Sequence, residues 1–383
     1  HQRLEFAAGE GAGFLADGKP WIEWQNRAQT DVTVSAPLSP QYGAADLVDE
    51  HDDAWVELTN DFIPLKDKKR ALWSSERSGR RQLEVVNLET KERTQLTNEP
   101  EPVKQIEAVD EARGVVFYAA WRNRGRQLRV YSVPLAGGAS TELTTEPGWH
   151  AVTFDNAGTY FVDRFSDFGV PAKTTLREAS TGKIVLVLDD DNATGLAKYA
   201  KPKPVWLDLK AADGKTTLSG LLLPPTKKLA PGQKVPVIVS IYGGPTAQTV
   251  TRAWSRGYPV ETYWTEHGYG VFLVDNRGMA GRDRDFTRAH KNAFGEVEVA
   301  DLFAAVSQLV ASTPWVDGAR LGVFGWSYGG FLSTRAILDE KTPFAAPASV
   351  APVTAWTLYD THYTERYIGD PKTNAAAYAK ANL

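Results

Sequence analysis

Near the end of the chain, Gly325-Trp326-Ser327-Tyr328-Gly329 sets a serine midway between two glycines. A hydroxyl at that spacing can attack a carbonyl carbon if a sharp strand-to-helix turn lifts it clear of the backbone, as in the G-x-S-x-G nucleophile elbow. Alone the pattern is weak, because glycine and serine are common residues. Its surroundings sharpen it. Leu321-Gly322-Val323-Phe324 reads as a strand before the turn, and Gly329-Gly330-Phe331-Leu332 as the start of a helix after it. The glycines would let strand and helix pack closely. The competing reading is an ordinary strand–turn–helix.

A serine hydroxyl is a poor nucleophile without a neighbouring base and a carboxylate to orient that base. In this type of elbow the acid and then the histidine follow the serine along the chain. Only 56 of the 383 residues follow Ser327. They contain one histidine, His362, and the candidate acids Asp339, Asp360 and Asp370. All sit too early, since two more strands should intervene before an acid loop and a histidine loop. The expectation is that neither partner lies in this chain. His150, His267 and His290 precede the elbow and read as surface or structural residues.

The elements around the elbow alternate. Residues 205–225 read as a hairpin turning at Asp213-Gly214. Val235–Tyr242 and Tyr269–Asp275 are strands, residues 295–312 a helix with Leu302, Ala305, Val306, Leu309 and Val310 on one stripe. Arg320–Trp326 is a strand, Gly329–Glu340 a helix, and Phe344–Val353 holds the next strand. Such alternation implies a largely parallel sheet flanked by helices, here the first part of an α/β-hydrolase domain over residues 201–383.

The first half repeats. Leu72-Trp73-Ser74-Ser75-Glu76-Arg77, Val116-Phe117-Tyr118-Ala119-Ala120-Trp121 and Tyr160-Phe161-Val162-Asp163-Arg164-Phe165 begin 44 residues apart. Each is followed by a second run (Gln82–Val86, Gln127–Tyr131, Thr174–Leu176) and a short third one (Gln95–Thr97, Glu142–Thr144, Val185–Val187). An earlier unit shows at Trp21–Trp24 with Val32–Val34 behind it. A period of 40–50 residues with several short strands is that of β-propeller blades, which cannot bury their faces singly. About four blades are expected over residues 1–200. A β-sandwich with chance spacing is the alternative.

Composition excludes several classes. Hydrophobic residues make up 42% and charged residues 23%, with a formal net charge of −4. That is globular, with no basic excess for nucleic acid or an anionic membrane surface. Zero cysteines remove disulfides, thiolate metal sites and a cysteine nucleophile. No run of about 18 apolar residues is present for a membrane helix, and residues 1–30 lack the pattern of a signal peptide. The chain starts at His1 rather than Met, so either something was removed from the front or this is a piece of a longer sequence.

Four blocks, Ile241-Tyr242-Gly243-Gly244-Pro245, Val274-Asp275-Asn276-Arg277-Gly278, Gly325–Gly330 and Ala351–Trp356 through Tyr363–Tyr367, come in the order and spacing of the prolyl oligopeptidase family of serine peptidases, in its dipeptidyl peptidase IV branch. The resemblance extends to Trp73–Arg77 and covers nearly the whole chain. It implies Ser327 as nucleophile, with the Tyr242 phenol and the Tyr328 backbone N–H as oxyanion donors. It makes Val353, Trp356, Tyr359 and Tyr363 the lining of a pocket for the side chain before the scissile bond. Spacings of three and four would put the three aromatics on one helical face, with Asp360 and Arg366 bracing that helix. Buried packing is the bland reading of Tyr242 and of this stripe.

The implied substrates are peptides cut after an N-terminal dipeptide with proline or alanine second, with no cofactor or metal. A homodimer and a periplasmic, extracellular or cytoplasmic site are all left open. The family's adjacent glutamates for the substrate amine find no match, since Glu50, Glu99 and Glu107 stand singly. That keeps an acylaminoacyl-peptidase or oligopeptidase in play; a non-catalytic propeller protein would be expected to have lost Ser327. Without acid and histidine, this chain alone is expected to hydrolyse no dipeptide substrate at a useful rate.

Overall fold

The computed structural model describes residues 3–4, 11–37, 43–190, 202–254 and 257–383. The blade repeats form four antiparallel sheet units in chain order. The first runs through Ala12–Phe14, Pro20–Gln25, Asp31–Pro37 and Ala44–His51, with Arg3–Leu4 added along Pro20–Gln25. The second comprises Ile63–Pro64, Arg70–Ser75, Gln82–Asn87 and Arg93–Gln95. The third comprises Val103–Asp110, Val115–Arg122, Gln127–Pro134 and Thr141–Glu142, and the fourth Trp149–Phe154, Tyr160–Asp167, Val170–Glu178 and Ile184–Asp190. One parallel bridge, Leu128 to Trp149, joins the last two units.

The cores lie between blades rather than within them. Trp21, Val32, Val34 and Val48 of the first blade pack with Phe62, Ala71, Trp73 and Val86 of the second. Leu72 and Leu83 pack with Val103, Val116 and Tyr118 of the third. Phe117 and Val130 pack with Phe161 and Ala179 around the fourth. Strand side chains alternate between faces, so Val116 and Tyr118 serve one neighbour while Phe117 serves the other. This is why the residues at the repeated offset are apolar on successive positions.

Six strands form the second sheet. Their spatial order is Val205–Lys210, Thr217–Leu223, Gly270–Asp275, Val235–Ile241, Val316–Trp326, Ala346–Val350. The first two pairings are antiparallel and the other three parallel. Every residue of Gly270–Asp275 is buried, as a central strand covered on both faces requires. The helices are α1 (Tyr258–Glu266), α2 (Arg284–Arg288), α3 (Val297–Ser312), α4 (Tyr328–Leu338), α5 (Thr361–Ile368) and α6 (Ala375–Ala381). Elements α1 and α2 carry no clear apolar stripe and went unread in the sequence. The strand expected over Phe344–Val353 is shorter, because the chain turns at Ala351 with φ +46°. The expected division at residues 200 and 201 lies outside the described residues. No helix among the described residues is long and apolar enough to cross a membrane.

Blades and sheet are tied by side chains from all four blades. Trp55, which follows the first blade, is buried in the core of the second sheet, its ring stacked on His290 at 5.9 Å and edge-on to Tyr367 at 5.0 Å. Arg288 lies over the Trp55 ring at 4.3 Å and pairs with Glu76 at 2.6 Å. Arg27 pairs with Glu365 at 2.6 Å, and Arg366 donates to Gln29 at 2.6 Å. Trp121 donates to Gln248 at 3.0 Å, Arg126 pairs with Asp208 at 2.7 Å, and Arg252 donates to Asp167 at 2.9 Å. A cavity of about 750 Å³ remains between the two parts, lined in part by Glu57, Asp61, Glu107, Pro245, Arg282 and His362.

Of the early histidines, His267 is exposed while His150 and His290 are fully buried. Burial, with the nearby Arg288 and Lys291 charges, pushes His290 down to about 3, so the folded ring is neutral. A depressed base contributes stability above its unfolded value near 6.5 and loses it as pH falls toward 3. The melting temperature of His290→Leu should therefore gain on that of wild type as pH is lowered from 6.5 to about 4. Parallel curves would contradict the assignment.

Candidate active site

The elbow is where the sheet crowds most. Ser327 caps the N-terminus of α4 with φ +58° and ψ −116°, a region that non-glycine residues avoid. Its backbone N–H donates to the Val350 carbonyl at 2.9 Å, and its carbonyl accepts from Phe331 at 3.0 Å. The side chain makes no cap hydrogen bond and is half-buried, between exposed Trp326 and fully buried Tyr328. The strain therefore presents the hydroxyl instead of consuming it in the helix cap.

The surrounding glycines follow from distance. A Cβ on Gly325 would overlap the Gly329 carbonyl, and one on Gly329 would overlap the Ile241 carbonyl. One on Gly330 would sit 2.5 Å from the Val350 carbonyl oxygen. The turn is thus wedged between the two neighbouring strands.

Tyr242 arrives from one of them. Ile241 is paired with Gly325, so Tyr242 leaves its strand level with Trp326, beside the serine. The loop after it is fixed by Asn276, whose amide donates to the Gly243 carbonyl at 3.0 Å. Arg277 is gripped in turn by Asp301 of α3 through contacts of 2.8 and 2.9 Å. Burial, and then the neighbouring Tyr359 phenol, raise the Tyr242 phenol above its ordinary value. It keeps its proton at neutral pH and remains a hydrogen-bond donor. Asn276 and Asp301 had no assigned part in the sequence reading. Acidic residues on the buried stripe of α3, Glu298 and Asp301 ahead of Leu302 and Ala305, were the available signal.

The three aromatics among the expected pocket residues converge, but not along one helix. Trp356 lies in a short 3-10 turn, Trp356–Leu358, and the chain then extends at Tyr359 with ψ 172° before α5 begins. Asp360 supplies the break: its carboxylate accepts the Tyr363 N–H at 2.7 Å as N-cap of α5. Tyr359 and Tyr363 are nevertheless 5.4 Å apart between ring centres, and Trp356 lies 5.7 and 6.4 Å from them. Trp356 is buried, Val353 and Tyr363 are half-buried, and Tyr359 is exposed. Arg366 braces more than its own helix, since it reaches Gln29 across the domain junction. His362 sits one turn before it, lining the inter-domain cavity with its carbonyl accepting from Gln29 at 2.6 Å.

A glycine-wedged serine at the top of a parallel sheet, fed by propeller blades, defines a propeller-bearing α/β-hydrolase architecture. Residues 257–382 match the model of the prolyl oligopeptidase family, and residues 11–172 match that of the dipeptidyl peptidase IV N-terminal region. Over residues 257–382 the chain belongs to the prolyl oligopeptidase family. It is 29% identical over 369 residues to the Aspergillus flavus protein named "Probable dipeptidyl peptidase 4", covering 92% of this chain and 47% of that one. A crystal structure from Bacteroides ovatus superposes with a TM-score of 0.89 at 27% identity, over 100% of this chain and 56% of that one. Porphyromonas gingivalis dipeptidyl peptidase 4 shares the fold, with a TM-score of 0.86 at 24% identity over 99% of this chain and 52% of that one. This chain thus spans about half the length of the relatives it matches.

The wedge makes a direct prediction. Gly329→Ala should cost ~3 kcal/mol or more, at or beyond the upper range for overpacking. Gly322→Ala, whose Cβ would meet only the Ala346 carbonyl at 3.6 Å, should cost under about 1 kcal/mol. Urea midpoints measure both; equal midpoints would remove the wedge argument.

Proposed function

We propose that this chain carries the nucleophile and specificity pocket of a serine peptidase that releases N-terminal dipeptides with proline or alanine in second position. The observation that carries the reading is the juxtaposition of strained Ser327 with Tyr242 and the Trp356–Tyr359–Tyr363 cluster. Residues 1–200 belong to the propeller and 201–383 to the catalytic domain in this reading.

In the reaction, the Ser327 hydroxyl attacks the carbonyl carbon of the second substrate residue and gives its proton to a general base, which later delivers it to the departing amine. The carbonyl oxygen gains negative charge, and the Tyr242 phenol and the Tyr328 N–H donate to it. Such donors act mainly on the transition state because the charge exists only there. Collapse expels the amine of the remaining peptide and leaves an acyl-enzyme on Ser327, which water then cleaves. Val353, Trp356, Tyr359 and Tyr363 offer aromatic and aliphatic surface to a proline ring, which has no N–H to satisfy. The same reading includes assembly as a homodimer, to be decided by sedimentation.

The complete enzyme should cleave Gly-Pro-p-nitroanilide and leave the N-acetylated substrate untouched. Tyr242→Phe should lower kcat by about 10²–10³-fold with little change in KM. Cleavage of the acetylated substrate instead would favour an acylaminoacyl-peptidase. A raised KM with unchanged kcat would make Tyr242 a substrate contact.

A further inference from the structure

Glu298 has no part in the reaction above, yet it is fully buried beneath the elbow. It sits in the first turn of α3, where its Oε1 accepts the Tyr328 phenol at 2.6 Å and its Oε2 accepts the Gly295 N–H at 3.0 Å. Gly295 has φ +79°, and a Cβ there would sit 2.9 Å from the Phe331 ring. The glycine turn thus delivers a backbone donor to the carboxylate where a side chain would not fit. The Tyr328 ring is enclosed by Phe294, Phe331 and Trp356, with centroids at 5.2, 5.4 and 5.5 Å, and by Tyr242 at 6.2 Å. In that aromatic enclosure the Glu298 carboxylate is the hydrogen-bond partner of the phenol.

Burial pushes the carboxyl up to about 8, even with two donors and a helix N-terminus favouring its charge. An acid held there costs stability that an apolar residue would not. Stability alone gives no reason for it.

We propose that Glu298 is a positioning residue for the oxyanion site: by holding the Tyr328 phenol, it fixes the main chain of the residue that follows Ser327. The inference rests on the reading of Ser327 as a peptidase nucleophile. Strained backbone relaxes unless it is held from both sides. On one side the Ser327 N–H is bound to Val350. On the other, the Tyr328 side chain is fastened to α3 through Glu298. The Tyr328 N–H lies between these two anchors, and its aim at a developing oxyanion depends on both. The same ring abuts Tyr242, so one clamp serves both donors.

The test uses the complete enzyme, with kcat and KM for Gly-Pro-p-nitroanilide and labelling of Ser327 by a fluorophosphonate. Glu298→Ala and Tyr328→Phe should each lower kcat about 10–100-fold with KM nearly unchanged. The double variant should be no worse than either single one, because both remove the same contact. Glu298→Gln, which keeps an acceptor for the phenol, should recover most of the activity. Wild-type kcat in Tyr328→Phe, which removes a single oxygen and preserves packing, would overturn the proposal, as would multiplying effects in the double variant. It stands even if Glu298→Ala fails to fold, provided Tyr328→Phe shows the loss. A wild type that neither turns over nor labels would instead refute the peptidase reading, and the positioning role with it.

Discussion

The backbone of Ser327, at φ +58° and ψ −116°, is the constraint around which the second half of this chain is arranged. Such a conformation costs of order 1–3 kcal/mol and persists only where neighbours over-determine it. Here the neighbours are identifiable. Gly325, Gly329 and Gly330 admit the carbonyls of Gly329, Ile241 and Val350 where any side chain would collide. Val350 binds the serine N–H, and α4 starts at the next residue. The same wedging sets Ile241 level with Gly325, which delivers Tyr242 beside the serine. Site geometry is thereby a consequence of sheet packing rather than of a flexible loop.

The blades matter to this site through one short helix. Along α5, Tyr363 belongs to the aromatic cluster, while Glu365 and Arg366 are held by Arg27 and Gln29 of the first blade. Trp55 inserts from the propeller against Tyr367 of the same helix. Bidentate and partly buried contacts of this kind orient more than they stabilise. The propeller therefore holds the helix that carries Tyr363, and together they line the cavity between the two parts.

Much of this was legible in the sequence, and the reasons differ by element. The blades were readable because each must present apolar residues to two neighbours at a fixed period, as Val116, Phe117 and Tyr118 do. The elbow was readable because its glycines are dictated by contact. Helices α1 and α2 were not, since Tyr258–Glu266 shows little amphipathic order and Arg284–Arg288 is barely a turn. The three aromatics do meet, but on two elements rather than one helical face, because Asp360 restarts the helix three residues before Tyr363. The junction residues Arg27, Gln29 and Trp55 could not be read at all, as their partners lie over 230 residues away. Glu298 and Asp301 were visible as acids on an apolar stripe, but their partners were not.

Ser327, Tyr242 and the aromatic cluster are proposed to form one site. A structure of the complete enzyme bound to a dipeptide boronic acid ending in boroproline tests it most directly. The expected result is a covalent bond from Ser327 Oγ to boron, with one boronate oxygen within hydrogen-bond distance of both the Tyr242 phenol and the Tyr328 N–H. The pyrrolidine ring should lie against Tyr359 and Tyr363. An adduct on another residue, or a boronate oxygen facing solvent with Tyr242 unengaged, would contradict it.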